Sequence, residues 1–244
     1  MSAPIVFIVG TGDYIGAAIA RRFAEGGFTV CMGRRNGHKL EPLVNELRGM
    51  GGKAYGYTHD ARDEEQTEAI FKEIETNVGP IDLVIFNVGG NVYFPLMETT
   101  ARVFRKVWEM ACFAGFFTGR EAARYMVPRG RGKIFFTGAS ASMRGKPGYS
   151  AFSAGKAGLR MLAQSMAREF GPQNIHVAHL IIDAGVDTAF VRERIAASGK
   201  NPDDLPPDTL MSPRSVAESY WVLYHQTRDG WTHELDLRPY GETW

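Results

Sequence analysis

Cysteine is scarce: Cys31 and Cys112 are the two thiols in 244 residues. Two thiols build neither a disulfide framework nor a four-ligand zinc site, which excludes the small stapled scaffolds and zinc modules. A charge excess is also missing. With 28 Lys and Arg against 27 Asp and Glu, the formal net charge is +1, and no nucleic acid partner is expected where phosphate neutralisation has no basic surplus to draw on. No apolar run approaches the ~20 residues of a membrane span, so no membrane partner is expected either. The chain enters Pro4-Ile5-Val6-Phe7 without a basic leader or a small-residue cleavage site, and a cytoplasmic location is the expectation. No metal site is expected. His176 and His179 sit three apart on an apolar strand, where they point to opposite faces.

What is there is a rhythm. Short apolar runs at Ile5–Val9, Phe28–Met32, Lys53–Thr58, Ile81–Phe86, Lys133–Thr137, Ile175–Ile182 and Glu234–Leu237 read as strands. Between them, apolar residues recur at helical spacing: Ile15, Ile19 and Phe23; Leu40, Leu43 and Leu47; Ile70, Ile74 and Val78. Val103, Val107, Met110 and Ala114 mark a fourth helical face, Leu159, Leu162, Met166 and Phe170 a fifth, and Val216, Tyr220 and Leu223 a last one. Repeated βα units of this length predict an α/β fold, one doubly wound Rossmann-type domain over residues 1–244 with a parallel sheet of about seven strands. Arg124 to Lys133 reads as a solvated basic loop, and 188–212 as an irregular, proline-bearing stretch.

In such sheets ligands sit at the carboxyl ends of the strands, where strand order reverses. The first strand-to-helix turn, Gly10-Thr11-Gly12-Asp13-Tyr14-Ile15-Gly16, occupies the place of a phosphate-binding loop. Glycine there lets backbone N–H groups approach a pyrophosphate, and the helix N-terminus adds partial positive charge. At the end of the second strand an acidic residue would accept hydrogen bonds from the ribose of NAD. This chain has Arg34 and Arg35 instead, two guanidinium groups suited to a 2′-phosphate, so NADP(H) is favoured with NAD(H) as the other option. A solvated arginine pair on a turn is the plainer alternative.

These features resemble the short-chain dehydrogenase/reductase family, and the likeness runs nearly end to end. The family's Thr-Gly-x-x-x-Gly-x-Gly turn is similar to Val9–Gly16, with Val9 for the Thr and Tyr14 for the middle Gly. Its Asp after strand three falls on Asp60, next to Ala61, and its Asn-Asn-Ala-Gly falls on Phe86-Asn87-Val88-Gly89. The resemblance implies cofactor contacts at these residues, at Lys156, and at Val186 and Thr188 after strand six. It also implies a homodimer or homotetramer, a small carbonyl or alcohol substrate, and a substrate-covering loop over 188–212.

At the catalytic positions the likeness breaks. The family's Lys is present as Lys156, but Phe152 stands where the Tyr acid/base belongs, Ala139 where the Ser belongs and Cys112 where the Asn belongs. Phenylalanine has no proton to give. Tyr149 and the serines beside Ala139, Ser140 and Ser142, are the substitutes, acting in a displaced site. If residues 149–156 were all helical, Tyr149 and Lys156 would share a face about 10 Å apart. Tyr149 as a pocket wall or interface residue is the alternative, as is a silent dinucleotide-binding protein, a sensor or assembly partner. Trp108, Phe113, Phe116 and Phe117 read as core or oligomer interface, or in part as the wall of an apolar substrate pocket.

Overall fold

The computed structural model describes residues 3–241. Its strands are β1 Ile5–Val9, β2 Thr29–Arg34, β3 Ala54–Thr58, β4 Ile81–Phe86, β5 Gly132–Thr137, β6 Ile175–Ile182 and β7 Glu234–Leu237. They form one parallel sheet in the order β3-β2-β1-β4-β5-β6-β7. The chain winds outward from β1 in one direction and returns through β4 to wind the other way, so the order reverses between β1 and β4. That crevice is where a doubly wound sheet presents loops from both halves.

Alternation along the strands divides the core. Val6 and Ile8 face one layer, with Ile19 and Phe23 of α1 (Ile15–Glu25), Leu43 and Leu47 of α2 (Glu41–Gly49), and Val216 and Tyr220 of α8 (Pro213–His225). Ile5, Phe7 and Val9 face the other, with Ile70, Phe71 and Ile74 of α3 (Glu64–Asn77), Ala122 and Met126 of α5 (Ala114–Arg129), and Leu159, Ala163 and Met166 of α6 (Ser150–Phe170). All five residues of β1 are buried, as expected of a central strand covered on both faces.

Three local readings need correction. The helical face from Val103 to Ala114 is not continuous: α4 (Ala101–Trp108) passes into a π turn, Glu109–Phe113, before α5 begins. The wider turn places Cys112 against Gly158, where a Cβ would meet its Sγ at 2.8 Å. The basic stretch 124–133 is no solvated loop. Arg124 and Arg129 lie in α5, paired with Glu121 at 2.9 Å and Glu75 at 2.5 Å, and Lys133 is in β5. The 188–212 stretch is more ordered than its prolines imply. Thr188 caps α7 (Ala189–Ala197) by accepting from the Val191 N–H at 3.2 Å, and Arg192 ties Asp187 to Asp203.

Candidate active site

The turn after β1 is held by its own backbone. The N–H groups of Gly10 and Thr11 both donate to the Gly33 carbonyl, at 3.0 and 2.9 Å, binding the turn to the end of β2. Gly10 has φ +87°, and a Cβ there would press on Val88 Cγ2 at 2.9 Å; at Gly16 a Cβ would lie 2.6 Å from Thr11 Cα. Glycine is demanded at both positions by closeness of backbone. At Gly12 a Cβ would meet nothing within 4 Å, so the turn is open on that side.

A polar chain anchors the turn to the rest of the sheet. Asn87 Nδ2 donates to the Gly10 carbonyl at 3.1 Å, and Asn87 Oδ1 accepts from Thr137 Oγ1 at 3.1 Å. With its proton committed, Thr137 accepts from the Tyr220 hydroxyl at 2.7 Å. Tyr220 is fully buried, and burial raises its pKa far above the ordinary phenol range, so the hydroxyl stays a donor. Four elements, β1, β4, β5 and α8, are thereby joined at the carboxyl edge of the sheet.

Two cavities adjoin there and share Asn87, Val88, Gly89, Gly90 and Asn91. The first, about 410 Å³, is walled by Gly10, Thr11, Gly12, Arg34, Arg35, His59, Ala61, Arg62 and Met110. The second, about 560 Å³, is walled by Ile15, Thr137, Ala139, Ser140, Phe152, Lys156, Ala184, Val186 and α7. A third, about 170 Å³, meets the second at Asn91, Ser140 and Phe152 and includes Tyr149, Arg144 and Lys146.

The expected residues distribute among these cavities unevenly. Arg34 and Arg35 are on the first, but Arg34 is shared, its guanidinium 2.5 Å from the Asp13 carboxylate, which that hydrogen bond holds below the usual carboxylate range. Asp60 lies behind the wall. Its carboxylate takes Arg62 Nη2 at 2.6 Å and Nε at 3.0 Å, and Arg62 itself faces the cavity. Tyr14 is exposed and Thr188 is used as a cap; neither lines any of these three cavities.

Lys156 is buried in α6, with Nζ donating to the carbonyls of Thr137 at 2.8 Å and Val88 at 3.3 Å. Desolvation lowers its pKa to about 8. Phe152, one turn earlier and 7% exposed, packs with Val107, Ala151 and Ala139. Tyr149 precedes α6 as its N-cap residue and lines only the third cavity, so Tyr149 and Lys156 wall different spaces. Its hydroxyl accepts from Arg194. Ser140 lines both the second and the third cavity, whereas Ser142 is buried, donates to the Ala139 carbonyl at 2.7 Å and lines neither.

The sequence reading missed Arg62, Asn91, Arg144, Asp183 and Arg194. Asp183 is 3% exposed, and Arg144 Nη2 reaches both its oxygens at 2.6 and 2.7 Å. Burial alone would raise the Asp183 pKa, but hydrogen bonds from Arg144 and Ser140 and the charges of Arg144 and Arg238 outweigh it and hold the carboxyl low. Among the described residues, no cluster of three His, Cys, Asp or Glu side chains is placed to hold a metal, and no helix is long and apolar enough to cross a membrane.

The model of the short chain dehydrogenase family matches residues 4–198. A 2-dehydro-3-deoxy-D-gluconate 5-dehydrogenase from Formosa agariphila is 31% identical over 174 residues, which span 71% of this chain and 66% of that protein. A crystal structure of a short-chain dehydrogenase from Rhodopseudomonas palustris is 51% identical, covers 97% of this chain and 99% of its own, and has a TM-score of 0.83. An alcohol dehydrogenase from the archaeon Thermococcus sibiricus, solved in complex with 5-hydroxy-NADP, is 25% identical over 99% of this chain and 98% of its own, with a TM-score of 0.86. Sheet order, glycine turn and buried lysine agree with this match, and the chain belongs to the short-chain dehydrogenase family.

Proposed function

We propose that the protein is an NADP(H)-preferring oxidoreductase that interconverts a small carbonyl compound and its alcohol. The observation that carries this reading is the pair of adjoining cavities, one rimmed by the glycine turn and Arg34, Arg35 and Arg62, the other floored by Lys156. A dinucleotide suits such a cleft. Gly10, Gly12, Ile15 and Gly16 would receive its pyrophosphate at the α1 N-terminus, Arg34 and Arg35 a 2′-phosphate, and Ala61 and Asn87–Gly89 the adenosine side. Lys156 and Val186 would hold the nicotinamide half. The bound cofactor supplies or accepts the hydride.

The proton is this chain's own problem. Phe152 has none, so the reading assigns it to Tyr149, with Ser140 holding the substrate oxygen at the seam between the second and third cavities. Support comes from the two residues lining one cavity and from Ser140 lining both. The stretch 188–212 serves as the substrate-covering loop, because Val191, Arg194, Ile195 and Ser198 wall the second cavity. A second reading, dinucleotide binding without turnover, is favoured by the apolar packing of Phe152 and Ala139 where a proton donor and an oxygen holder belong.

Cofactor titration tests the common part of both. NADPH is expected to quench tryptophan fluorescence, and the Arg34→Ala, Arg35→Ala variant is expected to bind it ~10–100-fold more weakly with NADH affinity little changed, the size of one or two charge-assisted hydrogen bonds. No uptake of either nucleotide would sink both readings.

The reading also takes residues 1–244 as one cytoplasmic cofactor-binding unit, assembled as a homodimer or homotetramer. Free thiols at Cys31 and Cys112 suit a reducing compartment. Assembly is supported by an exposed apolar row running along α4, the π turn and α5: Phe104, Trp108, Phe113 and Phe116 are each 36–38% exposed, and Trp108, Phe113 and Phe116 stack in a ladder. A Trp108→Glu, Phe116→Glu variant is expected to shift to a smaller species in sedimentation; an unchanged profile would place the interface elsewhere.

A further inference from the structure

We infer that the substrate of this site is an anion, a small oxo or hydroxy acid with an apolar body, whose charged end is gripped by Arg194 and Lys146. The inference rests on the oxidoreductase reading above and names its substrate class. No Asp or Glu side chain lines either substrate-side cavity, whereas Lys156, Arg194, Arg144 and Lys146 do. Two of these cations are committed inside the protein, Lys156 to the carbonyls of Thr137 and Val88 and Arg144 to Asp183. Arg194 and Lys146 pair with no carboxylate among the described residues.

The helix that carries Arg194 shows that this imbalance is local. Two residues earlier on α7, Arg192 is neutralised by both Asp187 at 2.5 Å and Asp203 at 2.8 Å. Arg194 instead donates to the Tyr149 hydroxyl, and its guanidinium carbon lies 5.7 Å from the ring centroids of both Tyr149 and Phe190. Two aromatic faces and a neutral hydroxyl hold the fork in place without cancelling its charge. Lys146 lines the third cavity with Tyr149, while Arg194, which reaches the Tyr149 hydroxyl, lines the second, and the two cavities meet at Asn91, Ser140 and Phe152. A cleft lined by one sign of charge concentrates the opposite ion.

Apolar side chains make up much of the remaining wall: Ala139, Phe152, Ile182, Val191 and Ile195 line the second cavity beside the polar Asn87, Asn91, Thr137, Ser140 and Ser198. A molecule that fills this space therefore has an apolar body and an oxyanion at one end. Carboxylate and phosphonate share the chemistry that a guanidinium fork and an ammonium recognise.

Calorimetric titration of benzoylformate, its neutral amide and benzoylphosphonate decides the matter, with the protein as purified and again with NADPH present. At least one anion is expected to bind ~10–100-fold more tightly than the amide, with a preference that declines as salt is added. Arg194→Gln and Lys146→Gln, both at exposed positions, are each expected to remove about tenfold of that preference for the acid over the amide. The tighter of the two acids names the anion. Equal binding of acid and amide, no anion binding at millimolar concentration, or variants that lose NADPH affinity while keeping the anion preference would overturn the inference. Failure of NADPH itself to bind would sink the oxidoreductase reading and leave the anion titration to be read on its own.

Discussion

The Phe152→Tyr, Ala139→Ser double variant is expected to oxidise NADPH with model ketones ~10²–10⁴-fold faster than the parent, the contribution of one positioned general acid. Both side chains belong to the wall of the second cavity, Phe152 as a largely buried member of its apolar cluster, so the variant sets both oxygens on that wall. A phenol at 152 would stand one helical turn from Lys156, whose ammonium favours the phenolate and so makes the hydroxyl a better acid. Ser at 139 would offer a hydroxyl to the substrate oxygen. Initial rates of NADPH loss, measured beside Tyr149→Phe in the parent background, separate the two readings. A silent parent and an active double variant identify a cofactor-binding site that has lost its acid. A parent that turns over and loses its rate in Tyr149→Phe makes Tyr149 the donor, and equal rates with and without that hydroxyl would remove it from the mechanism.

Replacing Lys156 by Met is expected to stabilise the fold at neutral pH while abolishing the NADPH-dependent fluorescence change. Burial lowers the Lys156 pKa from 10.5 to about 8. Below pH 8 the lysine is protonated in folded and unfolded chains alike, and the fold carries a desolvated ammonium. Between the two values the unfolded chain binds the additional proton, so the parent gains stability as pH rises through that window. The penalty at pH 7 is roughly 3 kcal/mol at ~1.4 kcal/mol per pKa unit. Loss of the hydrogen bonds to Thr137 and Val88 offsets part of it, so the gain of Lys156→Met is expected to be smaller than that penalty. Denaturant unfolding from pH 7 to 10.5 checks this: the gap between variant and parent must narrow as pH rises. A variant less stable at pH 7 would mean that the buried ammonium is held for structure. A stabilised variant that no longer binds NADPH is the signature of a residue kept for function at a cost in stability.

Much of the architecture was legible because burial on both faces writes a simple pattern. A strand such as Ile5–Val9, covered by helices on each side, must be apolar throughout, and the following helix must show a four-residue period. Gly10 and Gly16 were legible for a related reason: backbone packs so closely there that a Cβ would lie 3.0 Å from the Asn87 carbonyl group or 2.6 Å from Thr11 Cα. The π turn at 109–113 was not, since one extra residue in a helix leaves apolar spacing almost intact. Nor were the arginines of α5, because a basic run reads alike whether it is solvated or paired with Glu75 and Glu121 across the helix surface.

For the site, chain order alone determined which chemical groups are available: a lysine kept, a phenol and a hydroxyl absent at 152 and 139, and two arginines at the end of the second strand. Those are facts of covalent sequence, and no folding alters them. Only the tertiary structure decided which groups meet. It joined Ser140 to Asp183 and Arg144, set Tyr149 against Arg194 from a helix 45 residues on, and put Lys156 in a different cavity from Tyr149. Contacts between distant segments depend on how the sheet edge gathers its loops, and residue spacing carries no record of that distance.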